Sequence, residues 1–314
     1  MWPDWRWRHV AKSKWPILIG PWTSEVGFEV LYWLPWLTAW RAKYKIAKER
    51  LIAVSRGGAG IWYDAHRTIE ICEYVSPDHL RRLHLEASQQ QASVKQLRIR
   101  PFDQRLVDLV AQELGVVRFH LLHPSVMYHE LAPWWGGDFG KRQLMARVAF
   151  APVPVPPLPV SLALPPKYVA VRFYARHTWP MTDELKDWVS NLVERLAKRI
   201  PVVLLDAHIA SDEHIDFPVS GPNILNVASA MTPQNNLGVQ SAVIAHAQAF
   251  VGTYGGTMQL AVRLRKPAIG FYHGTFDGTA YEHKQLTEWL AVQQQTPVFI
   301  GRPDEASVIH EVIM

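Results

Sequence analysis

The second half of the chain alternates short apolar runs with segments of helical period, and this alternation constrains the fold more than any other feature. Strands that alternate with helices of this length imply βαβ units and a parallel sheet, whose ligands gather at the carboxyl ends of the strands. The pattern predicts strands at 168–173, 202–205, 224–227, 250–251 and 268–272, and helices at 183–198, 237–247 and 258–264.

The first half opens in a similar way. Apolar runs at 17–19 and 51–54 predict buried strands; a long apolar helix is expected at 24–40, and a glycine-rich turn at 55–60 follows the second strand. Seven prolines at 151–166 forbid a helix and favour an extended linker. We therefore predict an α/β protein of two Rossmann-like lobes with a cleft between them. The lobes would span 1–155 and 156–314, and we consider that a last helix at 304–313 packs back on the first lobe.

Length and composition agree with two domains. The chain has 314 residues, of which 48% are hydrophobic, and this exceeds the usual size of one domain. Its apolar runs are far shorter than the roughly 20 residues that cross a bilayer. The N-terminus has no apolar core of a secretory signal, and Cys72 is the single cysteine. We therefore expect a cytoplasmic protein.

Four tryptophans lie among basic residues near the N-terminus. The net charge is +5, and tryptophan and cations together are typical of a segment that contacts anionic lipid at a membrane surface. The alternative is a segment packed on the protein by its indole rings. We expect either this packing or peripheral contact with the inner face of the membrane. The tryptophans are Trp2, Trp5, Trp7 and Trp15.

The most specific segment is 250–261, which is predicted to run from a strand through a glycine turn into a helix. Glycines let the backbone approach a phosphate closely, and the free N–H groups at the start of a helix hold negative charge. This pattern favours a site for the diphosphate of a nucleotide; the alternative is a turn needed only for tight packing. The candidate donor-binding residues are Thr253, Gly255, Gly256, Thr257 and Met258.

Two arginines lie where the strand 168–173 ends. The guanidinium groups of Arg172 and Arg176 are suited to bidentate contacts with phosphate oxygens. The alternatives are an ion pair with a neighbouring carboxylate for Arg172 and a solvated loop charge for Arg176. We interpret the acidic loop at 212–216 as solvated surface.

Two carboxylates, Glu25 and Glu29, lie four residues apart at the start of the first predicted long helix, so they share one helix face. Either is suited to act as a general base, which must reach an acceptor hydroxyl. Glu25 has the alternative role of complementing the helix dipole. Glu29 lies in an apolar run, where an unpaired buried carboxylate is unfavourable. The candidate acceptor-binding residues are Trp22, Ser24, Arg56 and Asp64.

Several motifs are absent from the sequence. There is no dinucleotide-binding G-x-G-x-x-G after the first strand, no phosphate-binding G-x-x-x-x-G-K-[ST] and no hydrolase G-x-S-x-G. No two aspartates lie two positions apart, so the D-x-D element that holds a metal-bound sugar donor is missing. We predict a reaction that needs neither metal nor cofactor.

The second lobe resembles the donor domain of GT-B glycosyltransferases, above all the lipopolysaccharide heptosyltransferase family. The resemblance rests on 252–261 with the Lys266-Pro267 pair, and on 29–35 in the first lobe, where Glu29-Val30-Leu31 precedes Leu34-Pro35. In that family the acidic residue before Val-Leu is the proposed base, which implies Glu29. Gly27 is one position earlier than the family's glycine, so Glu25 remains a candidate.

The combined interpretation is a metal-independent, inverting glycosyltransferase of hexosyl or heptosyl type in polysaccharide biosynthesis. The first lobe would bind a glycan or glycolipid acceptor, and the second lobe a nucleotide-sugar. A non-hydrolysing nucleotide-sugar epimerase is the first alternative. A basic nucleic-acid-binding protein is the second, but the Lys and Arg residues are dispersed and no binding module is recognised.

Overall fold

The computed structural model describes residues 4–89, 95–175, 179–209, 214–274 and 279–308. The chain divides into two compact units. The first comprises Met1–Pro154 with Pro233–Asn235, and the second comprises Val155–Thr232 with Asn236–Met314. A cleft between the two units, and the assignment of acceptor to one and donor to the other, stay predictions.

The first unit is built on a four-stranded parallel sheet with the strand order β3-β2-β1-β4. Its strands are β1 (Ile17–Ile19), β2 (Leu51–Ser55), β3 (Arg67–Glu70) and β4 (His120–Leu122). β1 and β2 are buried along their whole length, as is usual for strands inside a parallel sheet with helices on both faces. This burial explains why both were visible in the sequence as short apolar runs.

Seven α-helices accompany this sheet in the described part of the first unit. They are α1 (Asp4–Lys12), α2 (Val26–Phe28), α3 (Leu34–Tyr44), α4 (Pro77–Gln89), α5 (Pro101–Glu113), α6 (Ser125–Trp135) and α7 (Lys141–Met145). α5 packs Leu106, Val107 and Val110 against the sheet. α4 continues to Gln89; residues 90–94 lie outside the described part.

A single helical segment that runs from Val26 to Tyr44 contains a π-helical stretch at Glu29–Trp33 between α2 and α3. In that stretch the backbone N–H of Leu34 donates to the carbonyl of Glu29, five residues earlier. The helix predicted at 24–40 therefore runs from 26 to 44 in the structure. It begins two residues later and ends four residues later than predicted. π-Helical turns are rare and often mark functional sites.

The second unit contains a six-stranded parallel sheet in the order β12-β11-β10-β5-β7-β9. Its strands are β5 (Val169–Arg172), β7 (Val202–Leu204), β9 (Ile224–Asn226), β10 (Ala249–Thr253), β11 (Ala268–Phe271) and β12 (Val298–Gly301). A separate antiparallel pair joins β6 (Tyr174–Ala175) to β8 (Ile215–Asp216). The helices are α8 (Asp183–Ala197), α9 (Asn236–His246), α10 (Gly256–Arg263) and α11 (Thr279–Gln294).

This second sheet confirms the predicted α/β class and the parallel order of its strands. The predicted helix at 304–313 is wrong in type over its described residues, because the backbone forms a 3₁₀ helix at Pro303–Val308; residues 309–314 lie outside the described part. In the described ranges, no helix combines the length and the apolar character needed to cross a membrane.

Candidate functional site

The side chain of Glu29 is fully buried and lies at the start of the π-helical stretch. Its Oε1 accepts hydrogen bonds from the Tyr63 hydroxyl at 2.5 Å and from Ser55 Oγ at 3.3 Å. Its Oε2 accepts one from Arg56 Nη1 at 3.3 Å. Ser55 is the last residue of β2, so the carboxylate lies where a strand of the parallel sheet ends.

Burial raises the pKa of Glu29 from 4.5 to about 7, against the opposing effects of the Arg56 charge and the hydrogen bonds from Tyr63 and Ser55. Burial and the nearby Glu29 carboxylate raise the pKa of Tyr63 well above its usual value, so this hydroxyl stays protonated and donates. A carboxyl group with a pKa near 7 exchanges its proton readily at neutral pH, which suits a general base.

Arg56 joins this carboxylate to the loop after β1. Its Nη2 donates to the Ser24 carbonyl at 2.5 Å while Nη1 pairs with Glu29. Ser24 is buried, and its Oγ lies 3.1 Å from the Tyr128 hydroxyl. The structure thus brings the predicted residues Ser24, Glu29 and Arg56 together.

Trp22 lies in a buried aromatic stack. Its ring is stacked between Trp33 at 6.0 Å and Tyr128 at 6.3 Å, with interplanar angles of 17° and 12°. The side chain is fully buried, so the predicted contact with an acceptor would require this stack to open. In the described state Trp22 supports the loop that carries Ser24.

The glycine turn after β2 is filled by a carboxylate of the protein itself. Glu70 accepts hydrogen bonds from the backbone N–H groups of Gly57, Gly58 and Cys72 at 2.8 to 3.0 Å. An internal anion therefore occupies the amides that a phosphate would need. Sequence reasoning missed Glu70, although its place at the end of a strand beside this turn was a usable signal.

A second network that was not foreseen fixes the loop after β1. The Gln96 side chain accepts from the Thr23 backbone N–H at 2.9 Å and donates to the Pro21 carbonyl at 2.8 Å. Arg100 donates to the Thr23 hydroxyl at 2.7 Å and pairs with the buried Asp103. These contacts hold the backbone of Ser24 close to Arg56.

The remaining candidates of the first unit lie elsewhere. Glu25 is half-buried at the N-cap of α2 and makes no side-chain capping hydrogen bond there. Asp64 is an exposed side chain that pairs with Lys48 and Arg41. It does not contact Glu29 directly, although its neighbour Tyr63 does.

In the second unit, three of the predicted donor-binding residues converge at the carboxyl edge of the sheet. Arg172 ends β5, Thr253 ends β10, and Thr257 lies in the first turn of α10. The Thr253 hydroxyl accepts from the Tyr174 N–H at 3.0 Å and donates to the Tyr174 carbonyl at 3.1 Å. Arg172 Nη1 lies 3.4 Å from the Thr257 Oγ.

The start of α10 is suited to bind an anion. Gly255 is the N-cap residue, and the first N–H to bond inside the helix is that of Gln259, which donates to the Gly255 carbonyl at 3.0 Å. The N–H groups of Gly256, Thr257 and Met258 precede it, so they have no acceptor within the helix. The helix dipole adds a favourable potential for negative charge at this end.

Arg172 makes the ion pair that was its alternative role. Its guanidinium lies 3.3 Å from Asp216, 3.1 Å from the Gln240 side-chain oxygen and 5.1 Å from the centre of the Tyr174 ring. Asp216 is only 13% exposed, so the interpretation of its loop as solvated surface is wrong at this residue. The loop turns inward because β8 pairs with β6 and brings Asp216 beside Arg172. Residues 210–213 lie outside the described part.

Asp206 completes this cluster and was missed in the sequence. It is buried, its Oδ2 has no hydrogen-bond partner among the described residues, and it follows β7 closely. Burial, together with the nearby Asp216 charge, raises the pKa of Asp206 to about 7.

Two further predictions are not tested by the described residues. Arg176 lies outside the described residues, and its contact with phosphate stays a prediction. No group of three or more His, Cys, Asp or Glu side chains in the described ranges is placed to hold a metal ion. The metal-independent, cofactor-free reaction also stays a prediction.

No protein-family profile matches the sequence, and no curated protein matches it. Solved structures are similar to it at low identity. The glycosyl transferase family 9 protein of Veillonella parvula is 10% identical, over 95% of this chain and 89% of that chain, with a TM-score of 0.47. E. coli heptosyltransferase WaaC with ADP is 16% identical, over 94% of this chain and 99% of that chain, with a TM-score of 0.44.

The iron-containing dodecameric glycosyltransferase TibC of enterotoxigenic E. coli is 14% identical over 82% of this chain, with a TM-score of 0.41. This chain spans 59% of the length of TibC. Heptosyltransferases, whose motifs the sequence resembles, thus occur among the solved structures to which this chain is similar. Because these identities are only 10 to 16%, the ligands and reactions of those proteins can be proposed for this chain but do not follow from the similarity.

Proposed function

We propose that the protein is an inverting, metal-independent glycosyltransferase that moves a sugar from a nucleotide-sugar to a hydroxyl of a glycan or glycolipid. The observation that carries the proposal is Glu29, a fully buried carboxylate whose pKa is about 7 and which three side chains hold in place. When a carboxylate is desolvated and its partners neutralise its charge only in part, its pKa rises towards neutrality, which suits it to remove a proton.

In the proposed step, the acceptor oxygen attacks the anomeric carbon while Glu29 takes the hydroxyl proton. The bond from the anomeric carbon to the diphosphate breaks, and the diphosphate leaves with the bonding electrons on the opposite face, so the configuration inverts. Tyr63 and Arg56 orient the carboxylate. Glu25 is the second candidate for the base.

The second unit would receive the departing charge. The N–H groups at the start of α10 supply donors that are fixed before the reaction, so they stabilise the developing diphosphate without reorganisation. Arg172 donates to Asp216, Gln240 and Thr257, so it would turn part of its guanidinium from these partners to the phosphate oxygens. Arg172 and Thr257 already lie within hydrogen-bond distance of each other, which supports a common ligand. Arg176 is proposed as a further contact.

We expect ADP, UDP or GDP to bind the protein in the presence of a chelator, because the proposed anion site consists of amides and guanidinium groups. Arg172→Lys should weaken binding by about tenfold or more, since an ammonium cannot keep the bidentate geometry of a guanidinium. Isothermal titration calorimetry with EDTA measures this. The matched control is Arg199→Lys on the exposed surface, which should bind like the wild type. Binding that disappears with the chelator would contradict the metal-free donor site.

The N-terminal helix supports a proposal of peripheral membrane contact at the inner face of a cytoplasmic membrane. On α1, Trp7 packs on Trp36 and Trp40, while Trp5 is 70% exposed on the same side as Arg8 and Lys12, at helical spacing. An exposed indole beside cations is suited to an anionic bilayer surface. Of these two indoles of α1, Trp7 is therefore packed on the protein and Trp5 is exposed.

The double variant Trp5→Ala/Lys12→Glu is expected to sediment about tenfold less with vesicles that contain phosphatidylglycerol, because it removes the interfacial indole and reverses a charge. Both side chains are exposed, so folding should be retained; deletion of α1 would instead expose Trp36 and Trp40. Val117→Ala/Lys198→Glu truncates an exposed aliphatic side chain and reverses the charge of an exposed lysine away from α1, and it is the control for exposed apolar area and charge. Equal sedimentation of wild type and Trp5→Ala/Lys12→Glu would show that α1 does not bind the membrane.

A further inference from the structure

One short segment of the chain, at 55–63, surrounds the Glu29 carboxylate. The three side chains that donate hydrogen bonds to this carboxylate belong to it, although they are carried by different elements. They are Ser55 at the end of β2, Arg56 in the turn that follows, and Tyr63 at the end of a 3₁₀ helix. The position of this segment therefore decides how the carboxylate of Glu29 is held.

The segment bends at two consecutive glycines. Gly57 and Gly58 have φ angles of 64° and 76°, a left-handed conformation that glycine adopts without strain. Both of their N–H groups donate to the side chain of Glu70. Its Oε1 accepts from Gly57 at 2.9 Å, and its Oε2 accepts from Gly58 at 2.8 Å. One carboxylate thus binds both amides of the bend at the same time.

Glu70 reaches this bend from the neighbouring strand. It is the last residue of β3, and it is the register partner of Ser55 at the end of β2. Its Oε1 also accepts from the Cys72 N–H at 3.0 Å, a contact that caps the 3₁₀ turn at 71–73. The cap needs only that contact, whereas the bonds to the glycines join positions 12 and 13 residues apart. The reach of Glu70 therefore goes beyond its own turn.

We infer that Glu70 is a positioning residue, which fixes the bend at 57–58 so that Arg56 and Tyr63 stay on the Glu29 carboxylate. Hydrogen bonds from backbone N–H groups to a carboxylate are charge-assisted, and they are stronger than those between neutral groups. The inference rests on the proposed function where it treats Glu29 as the base. The positioning itself can be measured on the Glu29 carboxyl group without any substrate.

Loss of Glu70 is expected to change the ionisation of Glu29. Burial raises the pKa of Glu29, while the charge of Arg56 and the hydrogen bond from Tyr63 lower it. Tyr128 on α6 is a further titratable group that interacts with the Glu29 charge, but it lies outside the segment at 55–63. When the bend loosens, the arginine and the tyrosine hydroxyl withdraw, so the effect of burial meets less opposition and the pKa of Glu29 rises.

Glu70→Ala tests the inference in a ¹³C NMR titration of protein labelled at the side-chain carboxyl carbon of glutamate. The Glu29 signal is assigned by its absence from the spectrum of Glu29→Gln, and its pKa should rise by about 1 or more in Glu70→Ala. Glu70→Gln keeps the size of the side chain but offers one oxygen to three N–H groups. It should therefore raise the pKa of Glu29 by a smaller amount, and it supplies the test if Glu70→Ala does not fold.

Glu73→Ala is the matched control, because it makes the same change at an exposed position three residues later. The pKa of Glu29 in this variant should equal that of the wild type. Acetate gives a second readout, since Glu70→Ala leaves room for a small carboxylate beside the three N–H groups. Tens of millimolar acetate should return the pKa of Glu29 in Glu70→Ala towards the wild-type value, whereas acetamide, which has a similar shape but no charge, should not.

Three results would overturn the inference. They are an unchanged pKa of Glu29 in both Glu70 variants, a rise of the same size in Glu73→Ala, or restoration by acetamide as complete as that by acetate. None of these measurements depends on sugar transfer. Full turnover of Glu29→Gln would reject Glu29 as the base, whereas an unchanged pKa of Glu29 would reject only the positioning role of Glu70.

Discussion

Glu29→Gln is expected to lower turnover by about 10²- to 10⁴-fold while the affinity for a nucleoside diphosphate is retained, because the base acts in the transition state and the donor binds elsewhere. Glutamine has the size of glutamate, and its single oxygen can still accept from Tyr63 and Ser55, while its NH₂ group replaces the oxygen that accepts from Arg56. Thus the variant removes basicity with little change in packing. Steady-state kinetics and calorimetry on the same preparation measure the two quantities.

Glu25→Gln is the matched control, since it makes the same change one helical turn earlier at a side chain that is half-buried. It should keep turnover near that of the wild type. A larger loss in Glu25→Gln than in Glu29→Gln would transfer the role of base to Glu25. Wild-type turnover in both variants would show that this helical segment does not supply the base.

The pH dependence gives the Glu29 prediction a second readout. A base with a pKa of about 7 must be ionised to act, so activity should fall as the pH drops below 7. The free energy of unfolding should change in the opposite direction and decrease as the pH rises. In the unfolded chain the carboxyl group titrates near 4.5, so between pH 4.5 and 7 the folded state binds more protons. The wild type should therefore lose stability relative to Glu29→Gln as the pH rises through this window.

Gly252→Ala is expected to destabilise the second unit by about 3 kcal/mol or more, because the added methyl group has no room and its neighbour cannot move aside. An ideal Cβ at Gly252 would lie 2.0 Å from the carbonyl oxygen of Arg172. That oxygen belongs to the backbone of β5, which pairs with β10 at this position. Relief of the clash would separate two central strands of the sheet, and differential scanning calorimetry should show a large fall in the unfolding temperature.

Gly270→Ala is the control for this substitution, because Gly270 is the partner of Gly252 in the neighbouring strand β11. The nearest atom to its Cβ would be the Met258 Cγ at 3.1 Å, part of a flexible side chain. We expect a loss of about 1 kcal/mol. Equal unfolding temperatures for Gly252→Ala and wild type would contradict the close approach of β5 and β10.

The sequence predicted the parallel sheets because their strands are buried on both faces and so appear as short apolar runs. β1, β2, β7 and β11 all follow this rule. The π-helical stretch at Glu29–Trp33 could not be predicted, since it arises from the choice between carbonyls four and five residues back and leaves no trace in composition. Beyond residue 272 the only element predicted was a helix at 304–313, so β12 and α11 were missed.

The candidate site was likewise predicted only in part. Glu29 and Arg172 stood out because a charged residue in an apolar run requires a partner. Their partners Tyr63 and Asp216 could not be assigned, because each is brought in from a separate segment of the chain. Glu70 shows a further limit of sequence reasoning, since the glycine turn that it fills looks the same whether an internal carboxylate or a phosphate occupies its amides.

Sugar transfer itself is tested most directly by product analysis with a panel of nucleotide-sugars, each incubated with and without a mixture of oligosaccharide and glycolipid acceptors in the presence of EDTA. Mass spectrometry and ³¹P NMR follow the acceptor and the nucleotide. We predict that nucleoside diphosphate is released only when an acceptor is present, that the acceptor gains the mass of one sugar with inverted anomeric configuration, and that Glu29→Gln suppresses both changes. Conversion of a nucleotide-sugar to its epimer without any acceptor would contradict the account and assign the protein to the epimerases.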